Sequence, residues 1–263
     1  MKLAAIQMNS GQIVSENLAL ARKYIGEAVQ GGADIVVLPE NFSLMSGRHS
    51  ERLSTAQSEN DIRNYMANIA RQHQVVLVGG SVPILAGDNR VTNTCLVYGR
   101  DGSNIGRYDK IHLFDVELER GETYSESRYI EPGEKPVTVN VLSTCIGLSI
   151  CYDIRFPELY RELTLQGAQI LTVPSAFTIP TGEAHWKPLL RARAIENLCW
   201  LVAAAQVGDH PGRSTWGHSV IINPWGEVVA EKATGVGHIT AEVDLQKLRN
   251  LRNSFPCLSH RRL

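Results

Sequence analysis

Cys145-Ile-Gly-Leu-Ser-Ile-Cys-Tyr-Asp-Ile-Arg-Phe-Pro-Glu158 is the stretch of sequence that decides the fold of this chain. Its first half is mostly apolar and alternates between two faces, a pattern that predicts a buried strand from Cys145 to Cys151. Pro157 suits the first turn of a helix, which we predict over residues 157–166, with Gly167 ending it. The thiol of Cys151 would then lie where a strand turns into a helix, held rigidly and open to a substrate.

The size and charge of the chain favour one globular domain and a small-molecule substrate. The 263 residues are 43% hydrophobic, enough for one large core, and we expect a single domain over residues 1–263. The 26 basic and 27 acidic residues give a net charge of -1, which does not indicate a nucleic-acid or membrane partner. The sequence shows neither a signal peptide nor a membrane-spanning run, so we expect a cytoplasmic protein.

The five cysteines indicate neither a disulfide framework nor a metal centre. The sequence has no C-x-x-C pair, and an odd count in a cytoplasmic chain argues against structural disulfides. The histidines lack ligand-like spacing with cysteine, and the H-E-x-x-H motif is absent. We therefore expect that the chemistry needs no metal and no organic cofactor.

The chain divides into two similar halves. The first half predicts a strand, a helix capped by Ser15, a strand, a helix, a strand and a hairpin, at residues 2–8, 15–30, 34–40, 60–72, 75–79 and 93–108. Residues 32–42 align without gaps on residues 167–177, and the Asp101-Gly102 turn aligns on Trp225-Gly226. Two such halves predict two like sheets packed face to face with helices outside, unless the similarity between these short blocks arose by chance.

Four polar residues occupy positions that burial alone would not choose: Glu40, Lys110, Glu126 and Cys151. Glu40 follows an apolar strand, and Lys110 and Glu126 lie in a charged stretch, residues 110–127, that predicts a long functional loop. Because no histidine neighbours the thiol in sequence, we expect a desolvated Glu40, with its pKa raised toward neutrality, to act as the base. Lys110 would then stabilise a developing oxyanion. Taken singly, each residue also has a structural interpretation, as a small apolar thiol, a helix cap or a surface charge.

Three blocks of the sequence jointly resemble the nitrilase, or carbon–nitrogen hydrolase, superfamily. They are Leu38-Pro-Glu-Asn-Phe42, Tyr108-Asp-Lys-Ile-His-Leu113 and Cys151-Tyr-Asp-Ile-Arg-Phe-Pro-Glu158, and they match the family's glutamate, lysine and cysteine motifs. The resemblance implies an α/β fold, a four-layer α-β-β-α sandwich that usually dimerises through the helices flanking the cysteine segment. It also implies that Glu40, Lys110 and Cys151 are catalytic, through a thioester formed on the cysteine.

The family has a second active-site glutamate between its lysine and its cysteine. Glu126 matches that position, and Glu117, Glu119 and Glu122 are rivals in the same loop.

The segment from Pro174 to Glu196 resembles the branch of the family that hydrolyses deaminated glutathione to 2-oxoglutarate and cysteinylglycine. In that interpretation the substrate carbonyl lies between Lys110 and the backbone N–H of Tyr152. Arg155 and Arg193 are candidates to bind the substrate's carboxylates, and Phe177 and Thr181 to line the pocket. Surface or helix ion pairs are the alternative role for the two arginines.

Other functions fit parts of the same pattern. An ω-amidase acting on 2-oxoglutaramate shares much of the cysteine block, and a broader aliphatic amidase, nitrilase or N-carbamoyl hydrolase is a further enzymatic alternative. A scaffold of the same fold without chemistry is the non-enzymatic one. We expect a homodimer or a higher homo-oligomer in each case.

Overall fold

The computed structural model of the protein describes residues 1–118 and 122–262. The strands in these ranges are β1 (Lys2–Gln7), β2 (Ile35–Val37), β3 (Val76–Val78), β4 (Val82–Leu85), β5 (Val91–Tyr98), β6 (Asn104–Asp109), β7 (Asp115–Glu117), β8 (Thr123–Ser125), β9 (Thr138–Val141), β10 (Thr144–Leu148), β11 (Ile170–Thr172), β12 (Trp200–Ala203), β13 (Val207–His210), β14 (Arg213–Trp216), β15 (Ser219–Ile222), β16 (Val228–Lys232) and β17 (Gly237–Glu242).

The helices are α1 (Val14–Gln30), α2 (His49–Gln57), α3 (Glu59–His73), α4 (Pro157–Leu165), α5 (Ile179–Asn197) and α6 (Leu245–Ser254). Short 3₁₀-helices cover Glu126–Arg128, Cys151–Arg155 and Cys257–His260. Across the described parts of the chain, every helix is too short or too polar to span a bilayer.

Two sheets with the same central topology form the middle of the fold. In the first, β1, β2 and β3 are parallel, with Leu3 opposite Ile35. In the second, β10, β11 and β12 are parallel in the same way, with Ile146 opposite Ile170. In the first sheet, β3 pairs with the antiparallel strand β5, which forms a hairpin with β6. In the second sheet, β12 pairs with the antiparallel strand β15, which forms a hairpin with β16. The prediction of two like halves is therefore confirmed in the strand order.

The two sheets pack on each other and carry helices on their outer faces. Alternation along β2 shows this arrangement, because Val36 belongs to the cluster beneath α1 and α3, whereas Ile35 and Val37 belong to the core between the sheets. On the far side, Leu163 of α4 and Leu190 of α5 cover the second sheet. The fold is the predicted four-layer α-β-β-α sandwich. Each buried aliphatic side chain contributes about 1.5–3 kcal/mol of transfer free energy, so a strand buried on both faces is strongly fixed.

The strand that leads to the cysteine ends earlier than predicted. Strand β10 stops at Leu148, and Cys151 begins a 3₁₀-helix with the left-handed φ of 49°. The physical reason is that the N–H of Cys151 donates to the carbonyl of Pro174 at 2.8 Å, and the N–H of Ile150 donates to the Asp153 carboxylate at 2.8 Å. These two bonds turn the backbone at Cys151 out of the strand, while its side chain stays buried.

Three smaller predictions also need correction. Helix α1 begins at Val14, with Ile13 rather than Ser15 at its N-cap. Helix α2 lies between the predicted strand 34–40 and the predicted helix 60–72, where no element is predicted because only Thr55 and Ala56 of this helix are buried. The predicted long loop contains the short hairpin β7–β8 and a 3₁₀-helix, and residues 119–121 lie outside the described ranges.

Candidate active site

Glu40 lies three residues beyond the end of β2, at the edge of the first sheet. Its side chain is buried, and its Oε1 accepts hydrogen bonds from Asn93 Nδ2 and from Lys110 Nζ, both at 2.9 Å. Gly80 keeps this turn in place, because its φ of 54° suits glycine and a Cβ there would come within 2.1 Å of the Pro39 carbonyl oxygen. The glutamate is thus held from both its backbone and its carboxylate.

Lys110 follows β6 and extends its ammonium between two carboxylates. Its backbone N–H donates to the carbonyl of Asn93 at 2.9 Å, which fixes the base of the side chain. Its Nζ lies 2.9 Å from Glu40 Oε1 and 2.8 Å from Glu126 Oε2, and the side chain is 1% exposed. Glu126 Oε2 also accepts from the N–H of Phe114 at 2.9 Å. Burial of this ammonium is therefore compensated by two charge-assisted hydrogen bonds.

Among the rival glutamates, Glu126 is the one that the structure places on Lys110. Glu117 lies on β7 with an exposed side chain, and the carboxylate of Glu122 accepts from the Tyr124 hydroxyl at 2.9 Å. Glu119 lies outside the described residues.

The Cys151 thiol is buried beside the Glu40 carboxylate, and the charges around it set three pKa values. Burial raises the pKa of Glu40, but the Lys110 ammonium and the interaction with the thiol outweigh it, so the net pKa is lowered. Our expectation of a raised Glu40 pKa is therefore wrong, because the ammonium offsets the desolvation that we inferred from the apolar strand. Burial and the Glu40 charge raise the pKa of the Cys151 thiol well above its usual value. Burial lowers the pKa of Lys110, but Glu126, Glu40 and Cys151 together raise it. At neutral pH the site holds a thiol, a carboxylate and an ammonium.

Asp153 organises the backbone behind the thiol, and sequence reasoning missed it. Its fully buried carboxylate accepts from the Tyr108 hydroxyl at 2.7 Å, from Ile150 N at 2.8 Å and from His112 N at 3.1 Å. The His112 ring lies 2.7 Å from the same carboxylate through Nδ1 and stacks on Phe156. Asp153 therefore ties the lysine block to the cysteine block. Its position two residues after Cys151, within the block that matches the cysteine motif, is the signal in the sequence.

A cavity with about 300 Å³ of empty space opens over these groups. Its lining contains all four predicted polar residues, and it contains Tyr152, Arg155, Phe177 and Thr181, which we predicted as substrate-binding. The Arg155 guanidinium lies 5.6 Å from the Tyr152 ring centre and 5.7 Å from that of Phe177. Phe114 and Arg213 also line the cavity and were missed, since neither lies in a periodic or motif-like stretch.

Arg193 does not line the cavity, so the structure does not bring it together with the other predicted substrate-binding residues. The side chain is buried behind the cysteine segment, where Nε donates to the carbonyl of Ile154 at 2.9 Å and Nη1 pairs with Glu196 at 2.9 Å. The first bond holds the end of the 3₁₀-helix against α5, and the second lies within α5. The arginine thus has a structural position inside the protein rather than in the pocket.

The described residues do not assemble a group of three or more His, Cys, Asp or Glu side chains suited to a metal ion.

The comparisons with known proteins agree with this geometry. The family model described as carbon-nitrogen hydrolase matches residues 2–253. The chain belongs to the carbon–nitrogen hydrolase family. It is therefore a hydrolase of carbon–nitrogen bonds, as the three sequence blocks implied.

Similar proteins span nearly the whole carbon–nitrogen hydrolase chain. A deaminated glutathione amidase from Synechocystis sp. is 42% identical over 264 residues, covering 98% of this chain and 97% of that protein. The human omega-amidase NIT2 is 36% identical over 262 residues, covering 99% and 95%. The solved structure of the C. elegans NitFhit protein superposes with a TM-score of 0.91 and 38% identity, covering 99% of this chain. This chain spans 65% of that longer protein.

Proposed function

We propose that the protein is a cysteine-dependent amidase that hydrolyses deaminated glutathione to 2-oxoglutarate and cysteinylglycine. The observation that carries the proposal is the Lys110 ammonium held between Glu40 and Glu126, in a cavity where the Cys151 thiol lies beside Glu40. The Synechocystis relative, a deaminated glutathione amidase by name, supports the choice of substrate.

In the acylation half-reaction, Cys151 attacks the amide carbonyl while its proton passes to the Glu40 carboxylate. The lowered pKa of Glu40 keeps it ionised and ready to accept that proton. The oxyanion is bound by the Lys110 ammonium and by the N–H of Tyr152, which lies in the first turn of a 3₁₀-helix, where N–H groups lack partners within the helix. Glu40 then gives the proton to the leaving amine, and the acyl group remains on sulfur as a thioester.

In the second half-reaction, Glu40 takes a proton from the water that attacks the thioester, and it returns this proton to sulfur as the carbon–sulfur bond breaks, which releases the acid and restores the Cys151 thiol. Lys110 and the N–H of Tyr152 bind the second oxyanion as they bound the first. Glu126 does not exchange a proton in this scheme. It positions Lys110, because it accepts one of the ammonium's hydrogen bonds and is itself fixed by Phe114 N.

Two variants test the roles of the thiol and the base. Cys151→Ala should abolish turnover while the fold is retained, and Cys257→Ala, which removes a half-buried thiol outside the cavity, is the matched control. Retained activity in Cys151→Ala would remove the nucleophile assignment. Glu40→Gln should block acylation. Mass spectrometry that found a thioester accumulating in this variant would restrict Glu40 to the second half-reaction.

An ω-amidase is the second candidate, since human omega-amidase NIT2 is 36% identical over 99% of this chain. A single assay that measures amine or ammonia release from deaminated glutathione, 2-oxoglutaramate, a simple nitrile and an N-carbamoyl amino acid separates the enzymatic alternatives. The expected result is the highest kcat/KM for deaminated glutathione. Absence of turnover with all four would favour the scaffold of the same fold.

The proposal extends to domain, assembly and location. A single domain over the whole chain is supported by the pairing of β17 with β1, which joins the two ends of the sequence. A homodimer through α4 and α5 is supported by Leu165 and Ile195, which are 58% and 44% exposed on these helices. Light scattering should give a dimer, and Leu165→Glu should shift it to monomer.

All five cysteines lie in the described residues as free thiols, which supports a reducing, cytoplasmic location.

A further inference from the structure

A second chamber adjoins the catalytic cavity, and the proposed chemistry does not use it. This outer chamber has about 1090 Å³ of empty space, part of it open to solvent, against about 300 Å³ in the catalytic cavity. Glu126 and Arg213 line both spaces, so the outer chamber begins one side chain away from Lys110. An amidase that released only ammonia would not need this additional space.

The outer chamber is strongly basic. Its lining includes Arg52, Arg128 and Arg213, and Glu126 is the single carboxylate among the described residues that line it. That carboxylate is already paired with the Lys110 ammonium at 2.8 Å. Burial lowers the pKa of His210, so this imidazole adds no positive charge near neutral pH. Three guanidinium groups therefore face a space whose described lining residues carry too little negative charge to match them.

Neutral groups hold the three arginines in place. Arg52 Nη2 donates to the carbonyl of Ser46 at 2.7 Å, and Arg213 Nη2 contacts the thioether sulfur of Met45 at 3.5 Å. The Arg128 guanidinium lies 5.1 Å from the ring centre of Tyr129. Because a guanidinium carries five N–H donors, these contacts orient each group and leave donors for an anion.

The position of the outer chamber relates it to the leaving group rather than to the acyl group. Glu40 must hand its proton to the departing amine, and the charge of Arg213 acts on both Glu40 and Arg52. Arg213, which lines both spaces, therefore connects the chamber with Glu40, the group that protonates the departing amine in the proposed chemistry. Arg155 lies on the Tyr152 and Phe177 side of the catalytic cavity and does not line the outer chamber. It is available to the carboxylate of the acyl group.

We infer that the outer chamber binds the carboxylate of a peptide leaving group, through Arg213 and Arg128, and that it gives the enzyme its preference for a dipeptide amine over ammonia. This inference rests on the proposed amidase function. Arg52 supports the same anion from the wall of the chamber. The ligand that the chamber would recognise is a small amine, the size of a dipeptide, whose carboxylate lies at the end away from the scissile bond.

The test compares two substrates with the same 2-oxoglutaryl group and different leaving groups: deaminated glutathione, which releases cysteinylglycine, and 2-oxoglutaramate, which releases ammonia. The readout is the ratio of their kcat/KM values. Arg128→Gln and Arg213→Gln should each lower that ratio by about tenfold, equivalent to ~1.4 kcal/mol of lost transition-state binding. Arg48→Gln is the matched control, because this exposed arginine adjoins the chamber in sequence but pairs with Glu51 at 3.2 Å.

A substrate whose terminal glycine carboxylate is converted to an amide completes a double-mutant cycle, in which one change is made in the enzyme and the other in the substrate. The wild-type enzyme should lose about tenfold in kcat/KM on this amide, and Arg128→Gln should lose little more, because the two changes remove the same interaction. Equal losses on both original substrates would overturn the inference and leave the amidase function intact. So would an unchanged ratio, or an amide substrate as good as the acid. A wild-type enzyme inactive on both substrates would instead contradict the proposed function itself, and the inference with it.

Discussion

Replacement of Lys110 by methionine should destabilise the protein mainly by leaving a carboxylate without its counter-ion. The Lys110 side chain is 1% exposed and that of Glu40 is 3% exposed, so water cannot replace the lost ammonium. Removing one partner of a buried ion pair costs about 3–5 kcal/mol. Glu126 adds little to this figure, because its side chain is 20% exposed and keeps the N–H of Phe114. We therefore expect Lys110→Met to lower the free energy of unfolding by about 3–5 kcal/mol near neutral pH.

The double variant Lys110→Met/Glu40→Gln separates the stranded charge from lost packing. The glutamine still accepts from Asn93 Nδ2, and it removes the buried charge. We expect it to recover about 1–3 kcal/mol of the loss, which is the usual cost of a buried polar group without its partner. Both variants should be inactive, so the comparison concerns stability alone.

The pH dependence has a defined sign. In the wild-type protein, Glu40 has a pKa below its ordinary 4.5, so its favourable contribution is present above that value and is lost as the pH falls. In Lys110→Met, burial acts without the ammonium and raises the pKa of Glu40, so the penalty is largest at high pH and is relieved as the carboxylate takes up a proton. The second effect makes the difference in unfolding free energy smaller at about pH 5 than at about pH 8, whereas the first acts only below the ordinary pKa of 4.5.

Urea unfolding followed by fluorescence at the two pH values measures these differences, provided that the m-values of the variants agree. Equal losses in the single and double variants would refute the reasoning, because no buried charge would then be left stranded. A loss of unfolding free energy that did not change with pH would also refute the reasoning, because a stranded Glu40 carboxylate must take up a proton as the pH falls.

Three further predictions concern the backbone and the base. Asp153→Asn should lower the free energy of unfolding, measured by urea titration, by about 1.5–3 kcal/mol, since one charged acceptor becomes a donor. The same variant should lower kcat, measured by steady-state kinetics, by about 10²-fold, because the thiol is displaced. Gly80→Ala should lower the free energy of unfolding in a thermal or urea melt by about 1–3 kcal/mol, because its Cβ would meet the Pro39 carbonyl oxygen at 2.1 Å. Gly87→Ala is the control: its φ is also positive and nothing lies within 4 Å of its Cβ, so it gives the cost of backbone strain alone. The acid limb of kcat/KM should fall below pH 4.5, since Glu40 acts as a carboxylate with a lowered pKa; a limb above about pH 5 would contradict the assignment of Glu40 as the base.

The parts of the site that the sequence predicts are those with local signals. An apolar run that ends in Glu40 predicts a strand with a carboxylate at its tip, and β2 is that strand. Pro157 and Gly167 likewise predict the bounds of α4 to within one or two residues. These signals work because strand burial, proline geometry and glycine's positive φ act on a few neighbouring residues. The fold class followed from them and from the resemblance of three short blocks.

The parts that the sequence did not predict depend on contacts between distant residues. The lowered pKa of Glu40 requires an ammonium that lies 70 positions later, so the apolar strand alone gave the wrong direction. Arg193 was a candidate because a substrate with carboxylates calls for arginine partners, but only the packing of α5 shows its guanidinium on the Ile154 carbonyl. Arg213 lies in the short hairpin β13–β14, where neither period nor motif marks a functional residue.

The pKa directions of Glu40 and Cys151 explain how the proposed reaction proceeds without an imidazole. Proton transfer from sulfur to the carboxylate alone would be unfavourable, because the thiol has the higher pKa and the carboxylate the lower one. Attack on a carbonyl removes this obstacle, since the negative charge passes from Glu40 through sulfur to the oxyanion as the carbon–sulfur bond forms. In the proposed mechanism the oxyanion lies against Lys110, so the ammonium faces one mobile negative charge before and after the attack, while Glu126 supplies a fixed one. The thiol is therefore activated only when a carbonyl is present to receive the charge, and Lys110 is the group that makes both positions of that charge stable.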